Sequence, residues 1–340
     1  MRWPISACAW MLCAAIVVAQ QPSAPSLQRA ARRIMGTFCE VQVYHEDASM
    51  ATRAVTAALD EMARVDRLLS NYDPDSELSA MNREASHSSF RASQELFDFV
   101  ATCQRYANAT GGAFDPTVGA LVRAWGFFST TPSRPSAAAL ADARQRVGID
   151  KVRLDPGTRS VTYTAPGLEI DPGGIGKGYA VDRAVEILRQ MGVRSALVSA
   201  GGSTLYGLGR PPGRAGWRVG INNPSDPAHA FGYVQLHDNA VSTSGSSEKS
   251  VVLEGHRYSH IFDPRSGDPV ADMCQATVVA PTATDSDALT KPAFVLSRDG
   301  ARAVLSARAG VHVMRVEGAC EDRTRPWIAP WSAGVFDVAR

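Results

Sequence analysis

The sequence predicts an α+β fold of mixed, largely antiparallel sheets with flanking helices. Three observations carry this. Short strand-like segments recur with tight turns between them, and only a few helical crossovers separate them. A single strand–glycine turn–helix–strand unit lies at the centre, from Leu168 to Ser199. A doubly wound sheet would alternate strand and helix throughout, and this chain does not.

The elements follow in order. Phe38 to Tyr44 alternates apolar and polar residues as a half-buried strand does. Ala54 to Leu69 is an amphipathic helix with Val55, Leu59, Met62, Val65 and Leu69 on one face. Asn71 to Asn82 reads as a turn-rich loop, and Ser93 can cap a second helix that runs to about Ala107 and ends at Gly111-Gly112. Pro132 to Pro135 marks a loop before a helix over Ser136 to Arg146, and Lys151–Leu154 with Val161–Thr164 form a hairpin around Pro156-Gly157. Leu168 to Ile170 is a strand leading into the glycine turn Asp171 to Gly178. A helix from about Tyr179 to Met191 and a strand over Ala196 to Ser199 follow. Further strands are Trp217–Ile221, Tyr233–Leu236, Val251–Leu253, Tyr258–Phe262, Ala276–Ala280 and Val311–Val316. Helices are expected over Asp285–Leu296, where Pro292 should kink or end the regular hydrogen bonding, and over Ala301–Ala309.

At 340 residues, with 45% apolar and 20% charged residues, the chain can bury a sizeable core, which excludes a disordered or fibrous protein. Lys and Arg number 35 against 34 Asp and Glu. No basic excess is left to neutralise a phosphate backbone, so no nucleic acid is expected as a partner. Any anionic ligand must be held by a few well-placed groups.

The N-terminus reads as an export signal. Arg2 precedes an uncharged, mostly apolar run from Ile5 to Ala19, and Val17 and Ala19 supply small residues for cleavage. That run is short for a spanning helix, which needs roughly twenty residues. Ile5-Ser6-Ala7-Cys8 has the local pattern of a lipid-modified cysteine but leaves almost no apolar run before Cys8, and the stretch ending at Cys13 fits poorly. The organisation expected is a signal peptide over 1–19, a polar leader over 20–33, a folded domain over 34–320 and a C-terminal extension over 321–340. Cleavage leaves Cys39, Cys103, Cys274 and Cys320. They include no C-x-x-C, so a zinc or thioredoxin-like site is not expected. Disulfides are allowed outside the cytoplasm, but spacing cannot pair these four, and buried thiols are the simpler expectation.

The glycine turn is the strongest local chemical feature. Its glycines permit close backbone approach, the helix that follows aims N–H groups at an anion, and Lys177 adds a full charge. A diphosphate ligand is the physical expectation. Neither a P-loop nor a G-x-G-x-x-G fingerprint is present: Asp171 and Gly178 stand where the first needs glycine and a hydroxyl, and Gly174, Gly176 and Gly178 alternate. Other polar clusters are Gly112-Ala113-Phe114-Asp115-Pro116-Thr117, the Ser/Gly-rich loop Ser242 to Ser247, and His260 near a strand end before Asp263-Pro264. Asp285 and Asp287 sit at a helix start, where carboxylates either cap or hold a hard cation.

Together these features resemble the ApbE-like family, the FAD:protein FMN transferases. The landmarks appear in family order: Met35-Gly36-Thr37, Ser70-Asn71-Tyr72, Ser76-Glu77-Leu78 with Asn82, Gly112 to Thr117, Trp125-Gly126-Phe127 and Asp171 to Asp182. Gly201-Gly202, Ser244-Gly245, His260 to Pro264 with Gly267, and Asp287-Ala288-Leu289 complete the set. The resemblance implies an ApbE-like (T-fold-like) architecture and transfer of FMN from FAD to a Ser or Thr hydroxyl of an acceptor protein, releasing AMP, with Mg²⁺ as cofactor. It implies contacts to FAD from Met35, Tyr72, Ala113, Phe114, Asp115, Asp171 and Lys177. Tyr72 and Phe114 can pack on flat rings, Asp171 can accept from ring or ribose donors, and Lys177 suits the diphosphate. His260 would be the general base that takes the acceptor hydroxyl's proton. The acceptor would belong to a membrane or periplasmic redox system, and the protein itself would be periplasmic, with an anchor to the inner membrane as the alternative.

The metal site departs from the pattern. The resemblance implies Gly174 (through its carbonyl), Asp287 and a threonine at position 291 as ligands, but Lys291 stands there and Pro292 follows. An ammonium has no lone pair to donate and repels Mg²⁺. Lys291 lies four residues from Asp287, so on a regular helix the two can pair. Alternatively, Thr290 serves through a register shift, or Lys291 turns to solvent. Ser203 follows Gly201-Gly202 where the family usually has aspartate. Two other readings stand beside FMN transfer: a weakened homologue that binds FAD as a carrier or assembly factor, and a hydrolase that yields FMN and AMP.

Overall fold

The computed structural model of the protein describes residues 24–127, 133–226, 228–246, 250–253, 256–320 and 326–338. The strands are β1 (Ser26–Ile34), β2 (Thr37–His45), β3 (Phe90–Arg91), β4 (Val152–Asp155), β5 (Ser160–Tyr163), β6 (Ala196–Ala200), β7 (Thr204–Leu208) and β8 (Trp217–Asn222). They continue as β9 (Ala230–Leu236), β10 (Asn239–Gly245), β11 (Ser250–Leu253), β12 (His256–Ser259), β13 (Met273–Ala280), β14 (His312–Glu317), β15 (Trp327–Ile328) and β16 (Phe336–Val338). The α-helices are α1 (Ala48–Leu69), α2 (Glu77–Glu84), α3 (Gln94–Ala109), α4 (Gly119–Ala124), α5 (Ala137–Gln145), α6 (Gly176–Gln190), α7 (Ala283–Val295) and α8 (Arg298–Leu305).

Eight strands form one sheet in the order β1-β2-β6-β7-β10-β13-β14-β15, paired antiparallel throughout. The α+β class with largely antiparallel sheets is therefore what the chain adopts. Helices α1, α6 and α7 pack on one face of the large sheet. The three-stranded sheet β16-β9-β8 covers the other, with Trp217, Val234, Leu236 and Phe336 meeting Val241, Val279 and Met314. The apolar stripe read on α1 is buried as expected, at Val55, Leu59, Met62, Val65 and Leu69. Each large side chain so buried contributes roughly 1.5–3 kcal/mol. Arg64 on α1 bridges Glu61 and Glu95 at 2.7–2.8 Å, and its hydrogen bonds hold both carboxylates below their ordinary range. The Tyr179 hydroxyl donates to Glu95 at 3.2 Å, which ties α6 to α3.

Helices α6 and α7 cross close to the glycine turn, and Gly178 permits it. A Cβ at Gly178 would lie 2.2 Å from the Ala283 carbonyl oxygen and 2.8 Å from Cβ of Asp287. Asp182, one turn further along α6, accepts from the Ala283 and Thr284 amides at 2.8 Å and so closes the start of α7. Burial pushes the Asp182 carboxyl up, opposed by these hydrogen bonds and that of the Thr284 hydroxyl. Helix α7 then runs through Pro292 to Val295.

Several boundaries differ from expectation. The polar leader is not outside the fold, since Ser26–Ile34 is the edge strand β1, paired along its whole length with β2. Most of its residues are exposed, so ladder hydrogen bonds hold it rather than an apolar face, and no alternation marks it. The C-terminal extension is likewise built in: β15 lies at the other edge of the large sheet, and β16 pairs with β9. The segment read as a loop from Asn71 to Asn82 contains the start of α2, capped by Ser76. Leu168–Ile170 makes only an isolated parallel bridge, Glu169 to Val118. Asn82 clamps it, exchanging hydrogen bonds with the Ile170 backbone at 2.9 and 3.0 Å.

The largest correction concerns the Ser/Gly-rich loop. Ser242 to Gly245 belongs to β10, in the interior of the large sheet between β7 and β13. Its hydroxyls are satisfied laterally, Ser242 by Ser286 and Thr204, Thr243 by Thr277, and Ser244 by Thr290. Small side chains let α7 lie directly on the strand, so a composition that reads as loop is buried sheet. Cys274 and Cys320 form a disulfide with Cα atoms 5.0 Å apart, contrary to the expectation of four buried thiols. Closing a loop across 46 residues, it stabilises the fold by about 2–4 kcal/mol. Cys39 and Cys103 are buried free thiols, as expected, and burial pushes Cys39 up to about 11 and raises Cys103 too. The expected signal peptide, with Cys8 and Cys13, lies outside the described residues. Among the described residues no helix is long and apolar enough to cross a membrane.

Candidate active site

The glycine turn begins with Asp171, whose carboxylate accepts from the Gly173 amide at 2.8 Å and starts a short 3₁₀ turn over Pro172–Gly174. Helix α6 follows with Ile175 at its N-cap and no side-chain capping bond. The N-terminal amides and the positive end of the helix dipole lie at this turn, the features that an anion site uses. Of these amides, that of Gly178 donates to Asp287 Oδ2 at 2.9 Å. Lys177 extends from the same turn, and its ammonium donates to the Ser203 hydroxyl in a short contact. Ser203, at the position where the resemblance expects aspartate, thus neighbours Lys177 without neutralising it.

Met35 lies in the β1–β2 turn in the left-handed region, at φ +54°, and its amide donates to Asp66 Oδ2 at 2.8 Å. Gly201 packs against this hairpin, because a Cβ there would lie 2.7 Å from Thr37 Oγ1. Tyr72 is 71% exposed. Partial desolvation and the neighbouring Asp171 carboxylate raise its hydroxyl pKa. Beside it, both amide atoms of Asn71 are buried without a protein hydrogen-bond partner, a feature the sequence reading did not assign to the site.

The 113–115 segment is placed differently. Ala113 and Phe114 are buried, and the Phe114 ring stands edge-on to Tyr106 at 6.0 Å. Of the two rings expected to stack on a ligand, only Tyr72 is presented outward. Phe114 instead backs the glycine turn, with Cε2 3.3 Å from a Cβ built on Gly174. Asp115 is an internal strut. Its Oδ1 accepts from the Thr117 amide and hydroxyl at 2.9 and 2.6 Å, and its Oδ2 accepts from the Ile149 amide at 2.9 Å. Burial raises its pKa despite those hydrogen bonds.

His260 follows β12 at the start of a tight loop. The Ile261 amide donates to Ser259 Oγ at 3.1 Å, and the Ile261 carbonyl accepts from Val270 at 2.9 Å. Ile261 packs in the cluster that holds Ala113 and the α7 residue Leu289, which ties the histidine's backbone to the site.

Gly174, Asp287 and Lys291 do come together, but not as a metal centre. Lys291 points inward, and its Nζ lies 3.1 Å from Asp287 Oδ1, 3.1 Å from the Asp287 carbonyl oxygen, 2.9 Å from Thr290 Oγ1 and 3.2 Å from Ser244 Oγ. Its Cε is 3.3 Å from a Cβ built on Gly174. Mg²⁺ requires oxygens at 2.0–2.1 Å in a near-ideal octahedron. Here the oxygens stand at ammonium distance around an ammonium, and the residues present do not fit the ion. Lys291 is corrected from ligand to occupant. Of the arrangements open to it, pairing with Asp287 on a regular helix is the one adopted; Thr290 is fully buried and donates to the Asp287 carbonyl at 2.6 Å. Asp285 is no ligand either, accepting from Tyr106 and Thr282 at 2.7 Å. Among the described residues no group of three or more His, Cys, Asp or Glu converges to hold a metal.

A family model described as the ApbE family matches residues 35–315. The chain belongs to the ApbE family. Among its curated relatives is an FAD:protein FMN transferase of Klebsiella pneumoniae, 32% identical over 309 residues, covering 88% of this chain and 86% of the relative. An FAD:protein FMN transferase of Treponema pallidum is 31% identical over 333 residues, covering 91% and 88%. Among solved structures, the ApbE protein of Thermotoga maritima superposes with a TM-score of 0.80 at 30% identity, covering 86% of this chain and 96% of that one. The apo flavinyl transferase ApbE of Pseudomonas stutzeri gives 0.82 at 25% identity, covering 94% and 100%. In this chain Asp287 meets the start of α6 beside the glycine–lysine turn, accepting from the Gly178 amide, and Lys291 fills the oxygen cage next to it.

Proposed function

We propose that the protein is an exported FAD:protein FMN transferase. The observation that carries this reading is Lys177 at the N-terminus of α6, where the N-cap residue Ile175 makes no side-chain capping bond, a cationic seat for a diphosphate, in a chain of this family. The diphosphate of FAD lies against Lys177 and the first amides of α6. The exposed Tyr72 ring takes the isoalloxazine, and Asp171 accepts from a ring or ribose donor. Ala113, Phe114 and Asp115 act from behind, holding the wall against which the turn is built.

In the reaction an acceptor Ser or Thr oxygen attacks the flavin-side phosphorus. The new ester bond forms as the P–O bond to the AMP half breaks, and AMP leaves with the bridging oxygen. His260 receives the hydroxyl proton, which raises the nucleophilicity of the attacking oxygen. The acceptor is a protein of a membrane or periplasmic redox system. Export is supported by the N-terminal sequence and by the Cys274–Cys320 disulfide, a bond that persists in oxidising compartments.

Incubation with FAD and Ser/Thr-bearing fragments of exported redox proteins is expected to give covalently fluorescent fragment and one AMP for each flavin attached. Free FMN and AMP with no labelled fragment would instead identify a hydrolase, and unchanged bound FAD a carrier.

A further inference from the structure

We infer that the Lys291 ammonium is the resident cation of this site and that the protein binds FAD without a divalent metal. The inference deepens the transfer reading and rests on it for the identity of the ligand. Its basis is the oxygen cage itself. Lys291 is held inward by a carboxylate, a main-chain carbonyl and two hydroxyls, all within 3.2 Å of Nζ. Its side chain is 16% exposed and that of Asp287 5%, so water screens the pair weakly.

Every component of the cage is fixed by the fold. Ser244 comes from the interior strand β10, Thr290 and Asp287 from α7, and the Asp287 carboxylate is anchored from behind by the Gly178 amide of α6. The cage is a cation site assembled by three elements, and its cation is covalently attached to the protein. The aliphatic stem of Lys291 runs past Gly174, at 3.3 Å from that residue's would-be Cβ, and so reaches the glycine turn that carries Lys177. Two ammonium groups therefore flank the turn, and Lys177 is paired with a neutral hydroxyl. A divalent ion added to this arrangement would have to displace Lys291 from its carboxylate and would meet its charge, which disfavours entry. Positive charge fixed in advance needs no metal to be recruited and no reorganisation when the diphosphate arrives.

The test is calorimetric titration of the purified protein with MgCl₂ alone, together with equilibrium dialysis of FAD in EDTA and in Mg²⁺. The wild-type protein is expected to show no saturable Mg²⁺ uptake through millimolar concentrations and to retain FAD equally in both buffers. Lys291→Thr, which empties the cage and restores an oxygen, is expected to bind Mg²⁺ and to retain FAD about tenfold better with it than with EDTA. Saturable Mg²⁺ binding by the wild type, or FAD retention that depends on Mg²⁺, would overturn the inference without recourse to any variant. So would a folded Lys291→Thr protein that takes up no Mg²⁺. Should no form retain FAD in either buffer, the transfer reading fails, while the calorimetry still decides the identity of the cation.

Discussion

Replacing His260 by alanine is expected to slow FMN transfer by about 10²–10⁴-fold while FAD retention stays nearly unchanged. An alcohol is a poor nucleophile until its proton has somewhere to go, and His260 is the group assigned to take it. The backbone that carries it is secured independently of its ring. Ile261 is bound to Ser259 and Val270, Asp263 accepts from Gly267 at 2.8 Å, and Phe262 bridges Pro269. Ile261 and Phe262 are also buried. The alanine variant should therefore keep its fold and its Lys177 seat. The check is the rate at which covalent flavin fluorescence appears on the acceptor fragment, read beside FAD dialysis. Equal rates in the two proteins would remove His260 as the base, and parallel loss of binding and rate would make it a ligand contact instead.

The second large effect concerns stability. Asp287→Ala strips the carboxylate from a largely buried ammonium and leaves the Gly178 amide without its acceptor. Breaking one side of a buried pair costs about 3–5 kcal/mol, because the remaining charge stays desolvated. Removing both charges avoids that penalty, so Asp287→Ala/Lys291→Met should recover a substantial part of the loss. Urea unfolding of the two single variants and the double variant measures the coupling. If Asp287→Ala costs less than about 1 kcal/mol, the pair behaves as a solvated surface pair and the cage carries no buried charge.

Much of this was legible from the sequence, for reasons that differ by element. The stripe on α1 is buried as its spacing indicates, and the glycine turn leads into α6 as the residue types require. The approach of Lys291 to Asp287 follows from helical periodicity, since residues four apart share a face. The other cage members do not follow from it. Ser244 arrives through the register of β10 against β13 and the packing of α7 on that strand, and a Ser/Gly-rich segment gives no local sign of being interior sheet. Strand β1 was hidden because its stability lies in backbone pairing, which leaves its side chains unconstrained. The Cys274–Cys320 bond depends on strand order, which spacing does not encode. Ser203 stood out as a substitution, but its partnership with Lys177 is a tertiary contact across 26 residues. The placement of Phe114 was hidden for a related reason: an aromatic residue before a carboxylate can face a ligand or the core, and its edge-on packing against Tyr106 is a tertiary contact.

The account depends above all on a pocket that grips FAD through its two phosphates at the Lys177 turn. Equilibrium dialysis of folded protein against FAD tests this most directly. Saturable retention of one FAD per chain, weakened about tenfold or more by Lys177→Met, is the predicted result. Absence of FAD retention by folded protein at any workable concentration would contradict it.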